Sequence, residues 1–232
     1  MQKILKTLYI YGCSGIGKAI VDTVKRGPLI YNQCVFVDDD EGKLGADFYG
    51  CPVVSPTDFF TQATSSDHMI LAFFKPADIF TRASRAEAIK EQAQAQFVSI
   101  IDDSAVVSPS ANIGEGVYLA PNVILDSDSI VGDHSILLFN SVVSREVQLS
   151  NSCFLSAGVV IKGSVKISKS VFLSANAVIT KNITANAFVN AGVRVTEEVI
   201  SNSILSERAE NVRIELGTNL AAAIRKLRFF HP

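Results

Sequence analysis

From Ile101 to Ile179 every sixth residue is Ile, Leu or Val, an unbroken series of fourteen that runs through Leu119, Val131, Val143, Leu155 and Ile167. With about half of residues apolar in ordinary chains, such a series in one of six phases arises by chance on the order of once in several thousand. A second column, four residues after the first, is small or β-branched at nearly every step, as at Ala105, Val117, Ser129, Ser135, Cys153 and Val165. A period of six matches neither the 3.6 of a helix nor the 2 of a lone strand. It suits very short strands joined by bends, three to a coil of 18 residues. The pattern predicts a parallel β-solenoid with the large aliphatic side chains inside and the small residues where two walls meet. Cys153 then reads as a small core residue rather than a reactive thiol. Past Ile179 the in-phase positions are Ala185 and Ala191, and the pattern predicts that the solenoid closes there.

Residues 1–97 follow another rhythm. Leu8-Tyr9-Ile10-Tyr11 reads as a strand that runs into Gly12-Cys13-Ser14-Gly15-Ile16-Gly17 and a helix from Lys18 to Lys25. A second strand, Cys34 to Val37, ends in Asp38-Asp39-Asp40, and a third, Met69 to Phe73, precedes an Ala/Glu/Lys-rich helix from Asp78 to Gln96. This alternation predicts a small parallel α/β sheet. At the far end Leu216, Leu220, Ile224 and Leu227 fall at helical spacing, with Arg225, Lys226 and Arg228 beside them. The expected domains are therefore residues 1–97, 98–206 and 207–232: an α/β half-domain, a solenoid and a short helical tail.

Composition narrows the chemistry. The chain has 232 residues, a net charge of -2, 48% hydrophobic residues, four cysteines and three histidines. That net charge leaves no electrostatic footprint for nucleic acid, whose binders need clustered Lys and Arg on one face, and no nucleic-acid partner is expected. The cysteines show no CxxC spacing, which argues against a zinc site and for reduced, cytoplasmic thiols. The start of the chain lacks an apolar h-region, and no later stretch reaches about 18 unbroken apolar residues, so neither a leader nor a membrane span is expected.

The glycine loop, at the carboxyl end of a strand and opening a helix, is suited to an anion such as a pyrophosphate. Its spacing is GxxGxG rather than GxGxxG, and the domain is half the size of a dinucleotide fold, so a nucleotide half-site is expected rather than NAD. Asp38 and Asp39 close the second strand at the same edge, either as hydrogen-bond acceptors for a ribose or base or as a solvated turn.

These residues and the hexads behind them resemble the bacterial sugar acyltransferases of the sialic acid O-acetyltransferase (NeuD-like) family, which includes amino-sugar N-acetyltransferases of surface-glycan biosynthesis. The resemblance rests on YIYGCSGIGKAI, on VFVDDDEGKLG followed by GCPV, and on SAVVSPSANIGEGVYLAPN leading into the solenoid. It implies a homotrimer of left-handed β-helices. The α/β domain would hold a UDP- or other nucleotide-linked sugar through Gly12, Ser14, Gly15, Ile16, Asp38 and Asp39. Acetyl-CoA would lie between neighbouring subunits against Phe154, Gly158, Gly163, Ala175 and Gly192. The family's catalytic histidine falls on Arg145, followed by Glu146, and its other histidines fall on Phe154, Ile16 and Asp102. A late GxPA-like motif is replaced by Ser206-Glu207-Arg208-Ala209. Gly163, whose counterpart offers a backbone N–H to the acyl carbonyl, is retained.

An arginine stays protonated and cannot act as a general base. Attack by a sugar hydroxyl on a thioester needs one, whereas an amine with a pKa near 8 is already about one-tenth free base at pH 7. N-acylation is therefore expected over O-acylation, with Glu146 orienting the amine and Arg145 binding a phosphate or carboxylate or pairing with Glu146. The competing reading is a non-catalytic trimeric homologue that keeps nucleotide-sugar or CoA binding. Of the histidines, His134 reads as an exposed turn residue, and His68 and His231 as poorer candidates. No metal site is expected, since a solenoid carbonic anhydrase would need three histidine ligands.

Overall fold

The structure, a computed structural model, describes residues 6–28, 30–73, 81–205 and the backbone of 214–215. Its α/β part comprises β1 (Lys6–Tyr11), α1 (Gly15–Arg26), β2 (Tyr31–Val37), β3 (Asp47–Phe48), β4 (Cys51–Val54), α2 (Pro56–Gln62), β5 (His68–Leu71), α3 (Arg82–Gln92) and β6 (Gln96–Phe97). The sheet order is β3-β4-β2-β1-β5-β6, parallel except for the β3–β4 hairpin. Central β1 is buried on both faces from Thr7 to Tyr11, as a parallel strand covered by helices must be. The hairpin and α2 extend the sequence reading. Tyr49 and Gly50 both take positive φ, 58° and 74°, which makes the two-residue turn that joins β3 to β4.

The solenoid has three walls. The first stacks Ile100–Ile101, Tyr118–Leu119, Ile136–Leu137, Phe154–Leu155, Phe172–Leu173, Phe188–Val189 and Ser203–Leu205. The second stacks Val106–Val107, Ile124–Leu125, Val142–Val143, Val160–Ile161, Val178–Ile179 and Arg194–Val195, and the third Asn112–Ile113, Ile130–Val131, Gln148–Leu149 and Lys166–Ile167. The sixth-residue aliphatics point inward and are buried from Leu119 onward. Ile101 is 41% exposed because no coil lies beneath the first one.

From Gly116 to Asn176 each bend places one residue in the left-handed region, at Gly116, Asn122, Asp128, His134, Asn140, Glu146 and onward in steps of six. That column follows the aliphatic one by three residues and is rich in Asn, Asp and Gly, the types that tolerate positive φ.

The solenoid does not close at Ile179. Ile183 bridges Ile167, Val189 pairs with Leu173, and Val195 with Ile179, so each step is 16 residues instead of 18. The turns after Ile179 and Val195 are two residues shorter and contain no left-handed residue, and the ladder continues to Ser203–Leu205. A fixed period of six misses this because a shortened turn moves the phase while leaving the stacking intact. The expected C-terminal helix lies outside the described residues, and Ile214–Glu215 runs antiparallel to Ser203–Leu205.

Two polar clusters join the parts. Asp102, at the mouth of the solenoid, accepts from Arg26 and Thr23 of α1 and from Ser104, and Thr23 also meets the Tyr118 hydroxyl at 3.1 Å. Burial opposes its ionisation, but these donors prevail and bring its carboxyl down to about 2. Arg82, fully buried in α3, donates to the carbonyls of Leu71, Phe73 and His134, bridging the carboxyl end of β5 and the solenoid. Desolvation brings its pKa down to about 9.

Candidate functional site

The first half of the site lies at the carboxyl edge of the α/β sheet. Gly12, at φ +111°, donates to the Val37 carbonyl at 2.7 Å, and a Cβ there would stand 2.8 Å from the Phe73 backbone nitrogen. Only glycine fits. Ser14 caps α1 by accepting from the Gly17 N–H at 3.1 Å and donates to the Ala72 carbonyl at 2.6 Å. Gly15 has open space around it, and Ile16 is half-buried, so the first turn of α1 faces outward with its free N–H groups.

The two aspartates differ. Asp38 is buried and committed to the loop, accepting from the N–H groups of Cys13 (2.7 Å) and Asp40 (3.0 Å) and from the Lys43 ammonium (3.1 Å). Burial works against its charge, but these donors hold its carboxyl below the usual range. Asp39 is exposed and accepts from Tyr11 Oη at 3.0 Å and from the Arg85 guanidinium. Arg85 in turn lies 5.4 Å from the Tyr11 ring and 5.2 Å from the Phe73 ring. Sequence reasoning missed Arg85, Tyr11 and Lys43. The available signal was their position at the ends of β1, β2 and the start of α3, all of which a parallel sheet brings to one edge. Cys13 is a poor nucleophile here, since burial and Asp38 push its thiol up to about 12.

The second half lies on the solenoid, split between two corners. Gly158, Ala175 and Gly192 stack where the first wall meets the second: Gly192 donates to the Ala175 carbonyl at 2.9 Å, and Gly158 to that of Phe139 at 3.1 Å. Arg145, Glu146 and Gly163 stack where the second wall meets the third. There a Cβ on Gly163 would lie 3.2 Å from the Arg145 carbonyl oxygen and 3.4 Å from its Cγ, so the arginine stem crosses directly over the glycine. Glu146, at φ 59°, accepts from Ser164 Oγ at 2.6 Å, and Arg145 forms no ion pair with it.

Between the two corners runs the outer face of the second wall. From Val106 to Val178 it is apolar, with Val106 63% exposed, Ile124 and Val160 also exposed, and Val142 and Val178 half-buried, and exposed Arg194 ends it. Phe154 belongs to the first wall instead, where its ring stacks on Phe172 at 4.7 Å and Phe172 on Phe188 at 4.7 Å. Within one copy, Phe154 therefore stands a wall away from Arg145.

The histidines add a correction. His134 stands at a bend with φ 56°, but it is only 8% exposed. Its ring packs on Phe97 at 4.5 Å, and its Nδ1 lies against Gly116 without a hydrogen-bond partner. Burial, reinforced by the nearby Arg82 cation, lowers its pKa to about 4. The α/β part covers it, which the solenoid pattern alone does not reveal. His68 sits at the opposite, amino edge of the sheet between Lys6 Nζ (3.0 Å) and Tyr31 Oη (2.8 Å). His231 and Ser206 to Ala209 lie outside the described residues.

No protein-family model matches the chain. Among solved structures, the chain is similar to a variant of perosamine N-acetyltransferase from Caulobacter crescentus in complex with CoA and GDP-perosamine, with 23% identity, 85% of this chain and 92% of that chain covered, and a TM-score of 0.74. The acetyltransferase domain of PglB from Neisseria gonorrhoeae in complex with acetyl coenzyme A gives 20%, 86%, 95% and 0.77. WeeI from Acinetobacter baumannii gives 21%, 88%, 98% and 0.69. At such identities the likeness establishes the fold: a Rossmann-like α/β half-domain followed by a left-handed parallel β-helix.

Proposed function

We propose that this protein is an acyl-CoA-dependent acyltransferase that N-acylates a nucleotide-linked amino sugar for bacterial surface-glycan synthesis, akin to the sialic acid O-acetyltransferase-like group, in the cytoplasm. The observation that carries the reading is the retained Gly163 beneath Arg145, on a solenoid whose α/β domain presents a capped glycine loop. The matching solved structures contain CoA with GDP-perosamine, or acetyl coenzyme A, on this fold.

The nucleotide sugar sits at Gly12, Ser14, Gly15 and Ile16, with Asp39 and Arg85 facing it and Asp38 shaping the loop. Acetyl-CoA sits along the second wall. A homotrimer completes the site, because Gly158, Ala175 and Gly192 flank the apolar wall on one side and Gly163 on the other. Only a neighbouring copy brings the two corners together, and packing that wall also covers Ile124, Val142 and Val160. In the reaction the amine lone pair adds to the thioester carbonyl, forming the C–N bond and an oxyanion, and the return of that electron pair breaks the C–S bond. The thiolate leaves, and the proton lost by nitrogen passes to solvent or to Glu146. The Gly163 N–H stabilises the oxyanion.

The test is thiol release from acetyl-CoA by the full chain with UDP- and GDP-linked amino sugars. Sugar-dependent CoA is expected, and its absence at high protein concentration sinks the enzyme reading. A second reading, a trimeric binding protein without turnover, is favoured by one observation: none of the four family histidine positions carries histidine. Calorimetric binding of acetyl-CoA and nucleotide sugars without turnover establishes it. Arg145→His combined with Phe154→His raises activity if the site is an impaired form of the family's, and leaves it flat if the site is built for other chemistry.

A further inference from the structure

Charge is distributed unevenly along the solenoid. Residues 102–144 contain Asp102, Asp103, Glu115, Asp126, Asp128 and Asp133 and no Lys or Arg. Residues 145–196 contain Arg145, Lys162, Lys166, Lys169, Lys181 and Arg194 against Glu146 alone. Three of the cations, Arg145, Lys162 and Lys181, occupy successive turns of one corner, where the second wall meets the third, spaced by about 4.8 Å per coil. All three are exposed.

Their acidic neighbours do not neutralise them. Asp126 and Asp128 lie on the turn below, and Glu197 and Glu198 on the turn above. Among the described residues none of these forms an ion pair with Arg145, Lys162 or Lys181. Glu146 is held by Ser164 Oγ, and Asp126 by the Ser127 N–H at 2.7 Å. The Arg145 side chain lies over Gly163, with its Nε 4.0 Å from the position of a Cβ there. Like charges on neighbouring turns repel, so this cluster of cations, which forms no ion pair among the described residues, is best matched by a ligand that brings the counter-charge. An acetyl group offers a guanidinium a carbonyl oxygen but no counter-charge.

We propose that this corner is a carboxylate-binding subsite beside the reacting atoms, in which Arg145 grips the carboxylate and Lys162 and Lys181 supply the surrounding positive charge. An arginine fork suits a carboxylate better than an ammonium does, because it donates two parallel hydrogen bonds. The carboxylate comes either on a dicarboxylic acyl thioester or on an amino-uronic acid sugar, and in both cases it is a spectator to the C–N bond formation and C–S cleavage described above. The inference rests on the acyltransferase reading and adds the substrate class.

The experiment compares acetyl-CoA with succinyl-CoA as donor, and a neutral UDP-amino sugar with its UDP-amino-uronic counterpart as acceptor, by thiol release and by calorimetry. A preference of about 10- to 100-fold for the carboxylate member of one pair is expected, reduced by Arg145→Gln, partly kept by Arg145→Lys, and weakened less by Lys162→Gln. Which pair shows it identifies the source. Equal use of both members of both pairs by the wild type overturns the proposal, as does an Arg145→Gln defect that is the same for the two members of the donor pair and also for the two members of the acceptor pair, which assigns the arginine to the CoA phosphates. The binding arm keeps the two ideas apart. Absence of turnover with a calorimetric preference for the carboxylate ligand removes the enzyme reading alone, and turnover without such preference removes the subsite alone.

Discussion

The α/β domain and the solenoid are built on opposite economies of information. In the α/β domain single residues hold single places: Gly12 fits under Phe73, Ser14 both caps α1 and donates to Ala72, and Asp38 ties Cys13 to Lys43. In the solenoid an inward aliphatic has near-equivalents one coil above and below, such as Leu137, Leu155 and Leu173. The lesson is that redundancy secures the scaffold, whereas unrepeated residues form the ligand loops. The largest expected effect follows. Gly12→Ala, strained at φ +111° and driven against the Phe73 backbone, destabilises the protein by about 3–5 kcal/mol and abolishes nucleotide-sugar binding. Gly163→Ala, at a negative φ with its nearest neighbour at 3.2 Å, costs about 1 kcal/mol. Urea unfolding of both variants measures the contrast, and equal losses would erase the distinction between the two regions.

The same contrast explains what the sequence made legible. The hexad was readable because it repeats, and the glycine loop because its spacing is local. The β3–β4 hairpin was not, since a two-residue strand carries almost no periodic signal, and α2 spans only Pro56–Gln62 despite its Ser55 cap. Arg85 and Tyr11 meet Asp39 across 46 and 28 residues of chain, a juxtaposition that only the sheet order supplies. The burial of His134 depended on Phe97 and Arg82, residues from the other part of the molecule.

Where the two regions meet, stability becomes dependent on pH. The folded pKa of His134 is about 4 against an ordinary value of 6.5, so between those values the unfolded chain binds a proton that the folded chain refuses. Stability is therefore level above about pH 6.5 and falls by up to about 3 kcal/mol as pH drops to 4. Asp102 extends the loss. Its carboxyl, at about 2 when folded and 3.8 ordinarily, gives stability that is present above 3.8 and disappears as pH falls through 2. His134→Asn removes the first loss and keeps a residue suited to positive φ. Thermal melts of the variant from pH 7 to pH 5 should decline less steeply than those of the wild type, the remaining slope coming from His68, whose pKa burial and Lys6 also lower, and parallel curves would place the acid-sensitive group elsewhere.

The smallest effect belongs to the bend column. Asn176, at φ 58°, is one of a series that includes Asn122, Asn140 and Gly158. Alanine there pays the left-handed penalty, about 1 kcal/mol, while glycine relieves the strain but adds chain entropy to the unfolded state. The order expected by urea unfolding is thus Asn176 and Asn176→Gly nearly equal, with Asn176→Ala about 1 kcal/mol lower. Because neighbouring coils hold the bend on both sides, through Asn176 N–H to the Ala157 carbonyl and Gly192 N–H to that of Ala175, the loss stays local. A loss several times larger, of the size expected at Gly12, would mean that a single bend governs the register of the whole stack, and that the solenoid is no more redundant than the domain it carries.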